Sequence, residues 1–292
     1  MTTEILFLGE GRRMASPGFS VQSFVLHERG LASSPILNFD DFRVGERAFG
    51  PHPHAGFSAV TYLFEDSEGA ARSRDSLGND IVVGPGGIVW TQAGRGVMHH
   101  ELPADPARSL HGAQIFVNLS AARKTIVPSV MWLDGKDVPR WQNGRGDQIR
   151  VVVGRYGEVA SALVPAEPFT LLDVALRKGV DIPLMAGQFG LFYAQSGEVG
   201  LRADGGDAVV ELQAGEAAAV RGGGIVQLQG RPGGRVLVLA AKEIHEPVVA
   251  RGPFIMNNAD QIVAAVRRFE AGEMGRLASP VPLQADVPPL IL

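Results

Sequence analysis

The chain breaks its apolar residues into short runs, each ended within a few positions by a turn former. Such runs stand at 59–64, 81–83, 114–117, 149–153, 191–193, 217–220 and 236–239, with glycine, proline, asparagine and aspartate between them. This spacing suits an antiparallel sandwich or barrel, and it leaves no room for the crossover helices of a parallel sheet. The 37 glycines and 19 prolines serve tight turns without reaching the proportion of a disordered chain. The chain has 292 residues, which at about 150 residues per domain predicts two domains.

The segment 120–148, with Pro128, Pro139, Asn143, Gly144 and Gly146, reads as a connector. It divides an N-terminal domain, 1–138, from a C-terminal domain, 139–292. One helix is expected near 258–272. Asn258 is a natural N-cap with Gln261 three residues on, Ile262, Val266 and Phe269 form one stripe, and Gly272 stops it. The tail beyond, with Pro280, Pro282, Pro288 and Pro289, is expected to be extended. A weak repeat relates Tyr62 and Gly86 to Tyr193 and Gly215.

Composition removes several kinds of chemistry. With no cysteine there is no disulfide, zinc–thiolate site, iron–sulfur cluster or cysteine nucleophile. Net charge is −4 and no basic block occurs, so direct nucleic-acid contact is not expected. The apolar runs at 5–8 and 236–241 are too short for a signal or a membrane span, which predicts a soluble, cytoplasmic protein. Phosphate loops, dinucleotide fingerprints, nucleophile elbows and the zinc-protease helix motif are missing.

Histidine placement carries the chemical signal. Four of the seven histidines fall in two groups, His52 with His54 and His99 with His100, the second followed by Glu101. In a strand, residues i and i+2 share a face, roughly 6.6 Å apart. His52 and His54 can therefore grip one ion, and His99 shares a face with Glu101 while His100 points away. Three neutral nitrogens and one carboxylate suit a divalent first-row metal: iron, manganese, nickel, copper or zinc. Four protein ligands on an octahedral ion leave two positions for substrate, water or dioxygen. His100 is expected to pack, His111 to be a satisfied core histidine, and His27 and His245 to be structural or surface residues. Arg72, Arg74 and Asp75 read as turn or ion-pair residues, and Trp132 and Trp141 as burying the domain junction.

Six segments are similar to motifs of the pirin family of bicupins. They are GPHPHAGF at 50–57, RDSLGN at 74–79, PG at 85–86, AGRGVMHHE at 93–101, HGAQIFVNL at 111–119 and RGPFIMN at 251–257. The resemblance implies an all-β protein of two facing cupin barrels with a short C-terminal helix. It implies one metal, iron(II) before manganese, nickel, copper or zinc, in the N-terminal barrel, held by His52, His54, His99 and Glu101. Some members are quercetin 2,3-dioxygenases, and the human member is a redox-linked transcriptional co-regulator.

Two functions follow as expectations. One is a dioxygenase acting on a flavonol or related enol-bearing aromatic with O2, with Glu101 taking the substrate hydroxyl proton. The other is a non-enzymatic redox sensor docking on a protein partner. The family often has glutamate where this chain has Ser58, and aspartate where it has Gly87, so a carboxylate able to assist as a base is expected to be lost at 58. No histidine occurs from 112 to 244, and the repeat sets Leu228 where the first half has His99. The second barrel is therefore expected to bind no metal.

Overall fold

The computed structural model describes residues 3–45 and 50–277. The prolines at 280, 282, 288 and 289 lie outside them. The chain forms two compact units. One comprises residues 13–137 and 244–292; the other comprises 1–12 and 138–243. The chain-order division into 1–138 and 139–292 differs from this partition at both ends. The reason is strand pairing over long sequence distances, which no local pattern encodes: Glu4–Glu10 pairs antiparallel with residues 216–221.

The first unit holds β1 (Phe19–Val25), β2 (Ile36–Val44), β3 (His52–His54), β4 (Phe57–Leu63), β5 (Ala71–Asp75), β6 (Asp80–Val83), β7 (Ile88–Gln92), β8 (Val97–Pro103), β9 (Leu110–Asn118) and β10 (Ser129–Leu133). Six of these lie side by side in one antiparallel sheet in the order β10-β7-β4-β9-β2-β1; the others form a four-stranded sheet in the order β3-β8-β5-β6. Alternation assigns the faces. Ala59, Leu63, Val89, Leu110 and Phe116 join the apolar clusters within this unit, and Thr61, Gln114 and Asp40 share their face through cross-strand register. Between β5 and β6 the turn is built by Asp75. Its Oδ1 accepts from the amides of Leu77 and Asn79, and its Oδ2 accepts from Asn79 Nδ2 at 2.7 Å. Arg72 pairs with Asp80 through both carboxylate oxygens.

The second unit holds β11 (Gln148–Val153), β12 (Phe169–Ala175), β13 (Gly179–Ser196), β14 (Glu216–Gly230) and β15 (Arg235–Lys242). Its interior is aliphatic, with Val151, Leu172, Phe192, Leu228 and Val238 all buried in one cluster. The repeat is structural. The Gly86 amide bonds the carbonyl of Leu63, next after Tyr62, and the Gly215 amide bonds that of Ala194, next after Tyr193. Both glycines have positive φ, at 76° and 89°. In this second copy Leu228 pairs with Val180 and Leu201.

The segment 120–148 carries more structure than a connector. β10 pairs with β7, and Arg140–Gln142 pairs with β11, each at a sheet edge. Pro128 and Pro139 stand just before these strands, where the missing amide costs no ladder bond. Trp141 packs edge-on to Tyr156 at 4.9 Å, whereas Trp132 is 46% exposed. The exposure of Trp132 corrects its expected role in burying a junction.

After residue 244 the chain returns to the first unit. β16 (Phe254–Met256) lies beside Ala55, with the Ile255 amide donating to Ala55 O at 3.0 Å. Gly56 makes this approach feasible: its φ is +85°, and a Cβ there would stand 1.9 Å from Ile255 O. Helix α1 (Ala259–Glu270) follows, and Asn258 caps it by accepting from the Gln261 amide. Ile262 and Ala265 bury against Ala55, Met98 and Phe254, while Phe269 stays 40% exposed. Buried Lys124 ties the junction, donating to Gly56 O at 2.9 Å, Ile255 O at 3.0 Å and Asn118 Oδ1. Among the described residues no helix is long and apolar enough to cross a membrane.

Candidate metal centre

Three histidines converge in the first unit. β3 and β8 pair antiparallel with His52 opposite His99 and His54 opposite Val97. The i, i+2 spacing points both β3 rings to one face, and the register brings the His99 ring up between them. One nitrogen of each ring lies within 4.8 Å of the others, and His52 Nε2 is 2.9 Å from His99 Nε2. Metal–imidazole bonds of about 2.0–2.1 Å meeting at a right angle hold neighbouring nitrogens about 2.9 Å apart. The spacing therefore fits two adjacent ligands of one octahedral ion. His52 Nδ1 lies 2.9 Å from the Gly50 carbonyl, a bond that puts the ring's hydrogen there and leaves the Nε2 lone pair free.

Burial keeps these rings neutral. The pKa of His52 is lowered by desolvation, against a smaller opposing effect of the Gly50 carbonyl. Those of His54 and His99 lie well below the ordinary value, first from desolvation and then from neighbouring histidines. Neutral imidazole is the form that binds a metal. Glu101 shares the His99 face two residues along β8, but the tight cluster comprises the histidines alone. Its Oε2 accepts from Thr61 Oγ1 at 2.8 Å. Desolvation raises the Glu101 pKa to about 7, against the opposing bond from Thr61.

Residues 12–117 match the pirin family model and residues 171–275 match the model of the pirin C-terminal cupin domain. Mouse pirin is 32% identical over 248 residues, 82% of this chain and 83% of the relative. The chain belongs to the pirin family. A Pseudomonas aeruginosa pirin relative whose name assigns it provisionally to quercetin 2,3-dioxygenase is 34% identical over 243 residues, 80% of this chain and 82% of that one. The crystal structure of a quercetin 2,3-dioxygenase from Acinetobacter baumannii superposes with a TM-score of 0.79 at 24% identity, over 93% of this chain and 97% of that one. At that identity it shows the fold, an all-β bicupin.

The structure also places the remaining positions singled out in the sequence. His100 is buried and opposes Arg74, on the face turned from His99. His111 sits between two carboxylates, with Nδ1 2.7 Å from Asp66 and Nε2 3.1 Å from Asp41. Ser58 corrects an expectation. Counted from His54 it shares parity with the ligands, but the turn at Gly56 resets the alternation, and Ser58 faces away from Ala59 and Thr61. A carboxylate at 58 would not reach the cluster face. At Gly87 a Cβ would stand 2.8 Å from Gly84 O and 3.0 Å from Leu133 O, so a side chain there would force the surrounding backbone to shift.

Sequence reading missed the polar residues on the inner face. Asp40 is 3% exposed, accepts from Asn38 Nδ2 at 3.0 Å through Oδ2, and has no partner on Oδ1. Desolvation raises its pKa from 3.8 to about 6, against a smaller lowering by Ser23. A raised acid stabilises the fold below its ordinary value, and that stability is lost as pH climbs through about 6. At pH 7.5 the cost is about 3 kcal/mol. We expect Asp40→Asn to stabilise the apo-protein by up to this amount at pH 7.5 and to do little near pH 4. Denaturant titrations at the two pH values check this; equal effects at both would contradict it.

Proposed function

We propose that His52, His54, His99 and Glu101 hold one divalent metal, iron(II) before manganese, nickel, copper or zinc, and that this pirin-family protein uses it to oxidise a flavonol or related enol-bearing aromatic with O2. The observation carrying this reading is the 2.9 Å approach of two imidazole nitrogens beside a third. A bound ion supplies Lewis acidity toward an enol oxygen and, for a redox-active metal, access to dioxygen. The name of the P. aeruginosa relative supports the reaction class.

The chain's own residues divide the work. Three neutral rings supply ligand nitrogens without first losing a proton. Glu101 is the group suited to take the substrate hydroxyl proton: it is a carboxylate on the face of the histidine cluster, and Thr61 orients Oε2. Phe57 and Phe116 lie 4.9 Å and 5.7 Å from the His54 ring, and with Leu37, Ala59 and Ile255 they keep this side of the site dry.

Three measurements test the reading. Replacing His52 or His99 with alanine abolishes stoichiometric metal by elemental analysis, whereas His100→Ala retains it; equal metal in all three contradicts the ligand set. Metal binding near pH 6 releases about one proton, because Glu101 starts protonated there, and almost none near pH 8.5. Calorimetry in buffers of different ionisation enthalpy reads this release, and Glu101→Gln removes it. Iron-loaded protein consumes quercetin in air and not under argon. Oxygen-independent or absent loss of flavonol absorbance across the metal series overturns the substrate class. Metal binding without turnover, with a protein partner captured in one iron oxidation state only, favours the redox-sensor function.

A further inference from the structure

The inner face of the first unit carries a transverse polar row. Register sets Asp40 opposite Gln114 and Gln114 opposite Thr61, and Thr61 reaches Glu101. Thr61 Oγ1 lies 2.8 Å from Glu101 Oε2 and 3.0 Å from Gln114 Oε1. A threonine hydroxyl has one hydrogen, and two oxygens cannot both receive it in a strong bond. One neighbour must donate. Glu101 acting as a metal ligand is ionised and has no hydrogen to give, so in that state the donor must be the Gln114 amide, whose oxygen and nitrogen exchange places by a half-turn about its last torsion. With Nε2 toward Thr61, donation runs from Gln114 to Thr61 and on to Glu101, and every contact is satisfied. With Oε1 toward Thr61, the hydroxyl hydrogen is drawn away from Glu101.

We propose that Gln114, acting through Thr61, is the positioning residue that orients Glu101 as an ionised metal ligand. This rests on the metal-centre reading above. Thr61 is 4% exposed, so water offers no easy substitute for the relay. Gln114 touches no metal-facing atom in this arrangement; its effect passes through one hydroxyl.

Cobalt(II) titration of the full-length chain at pH 8, read by the d–d absorption of the bound ion, tests the relay. Thermal melts of each apo-protein separate misfolding from weakened binding. Thr61→Val and Gln114→Glu, which remove or reverse donation, should weaken cobalt binding about 10–100-fold and alter the spectrum, while Thr61→Ser restores wild-type behaviour. If Gln114→Glu does not fold, Gln114→Met, similar in size and unable to donate, answers the same question. Wild-type affinity and spectrum in Thr61→Val and the Gln114 variant overturn the relay, as does a Thr61→Ser loss equal to that of valine. Failure of the wild-type chain to bind cobalt overturns the metal centre itself, a distinct result.

Discussion

The pairing of β3 with β8 in one register governs the chemistry of this protein. His52 faces His99 only because these two strands meet at that offset. A slip of one residue would turn the His99 ring to the face opposite the two β3 rings and leave no cluster. Several contacts hold the offset from outside the pair. Gly56 lets β16 close on Ala55, Lys124 bonds carbonyls from both segments, and Met274 O accepts from the Met98 amide and from Ser76 Oγ. The C-terminal segment is thus part of the scaffold that holds both ligand strands.

The two copies of the repeat share a turn and differ in what fills their interiors. Both use the same glycine turn after a buried tyrosine. At the position of His99, whose partners are His52 and Asp75, the second copy has Leu228 between Val180 and Leu201. One interior carries buried imidazoles and carboxyls whose charged forms are disfavoured by desolvation. The other is filled with aliphatic side chains. Burial in the first unit disfavours the charged forms of these groups, and Asp40 bears that penalty without belonging to the proposed ligand set.

Much of this was legible in the amino-acid order where the governing period is local. Strand alternation singled out His52, His54 and His99, and helical period with capping located the helix after Asn258. Reading ran out where contacts are distant. Nothing near Glu4–Glu10 announces a partner strand more than 200 residues away. The expectation for Ser58, carried over from the family resemblance, failed because after the turn at Gly56 that residue faces away from Ala59 and Thr61. Thr61, Gln114 and Asp40 were overlooked because single polar residues in apolar runs gain meaning only when register aligns them across three strands.

The central claim is that one ion bridges β3 and β8. X-ray absorption at the iron edge of the reconstituted protein tests it directly. The account predicts multiple scattering from three imidazoles with Fe–N distances near about 2.1 Å, a signature that His99→Ala reduces to two rings or abolishes with the metal. An iron bound entirely by oxygen, with no imidazole scattering in the wild-type chain, would contradict it.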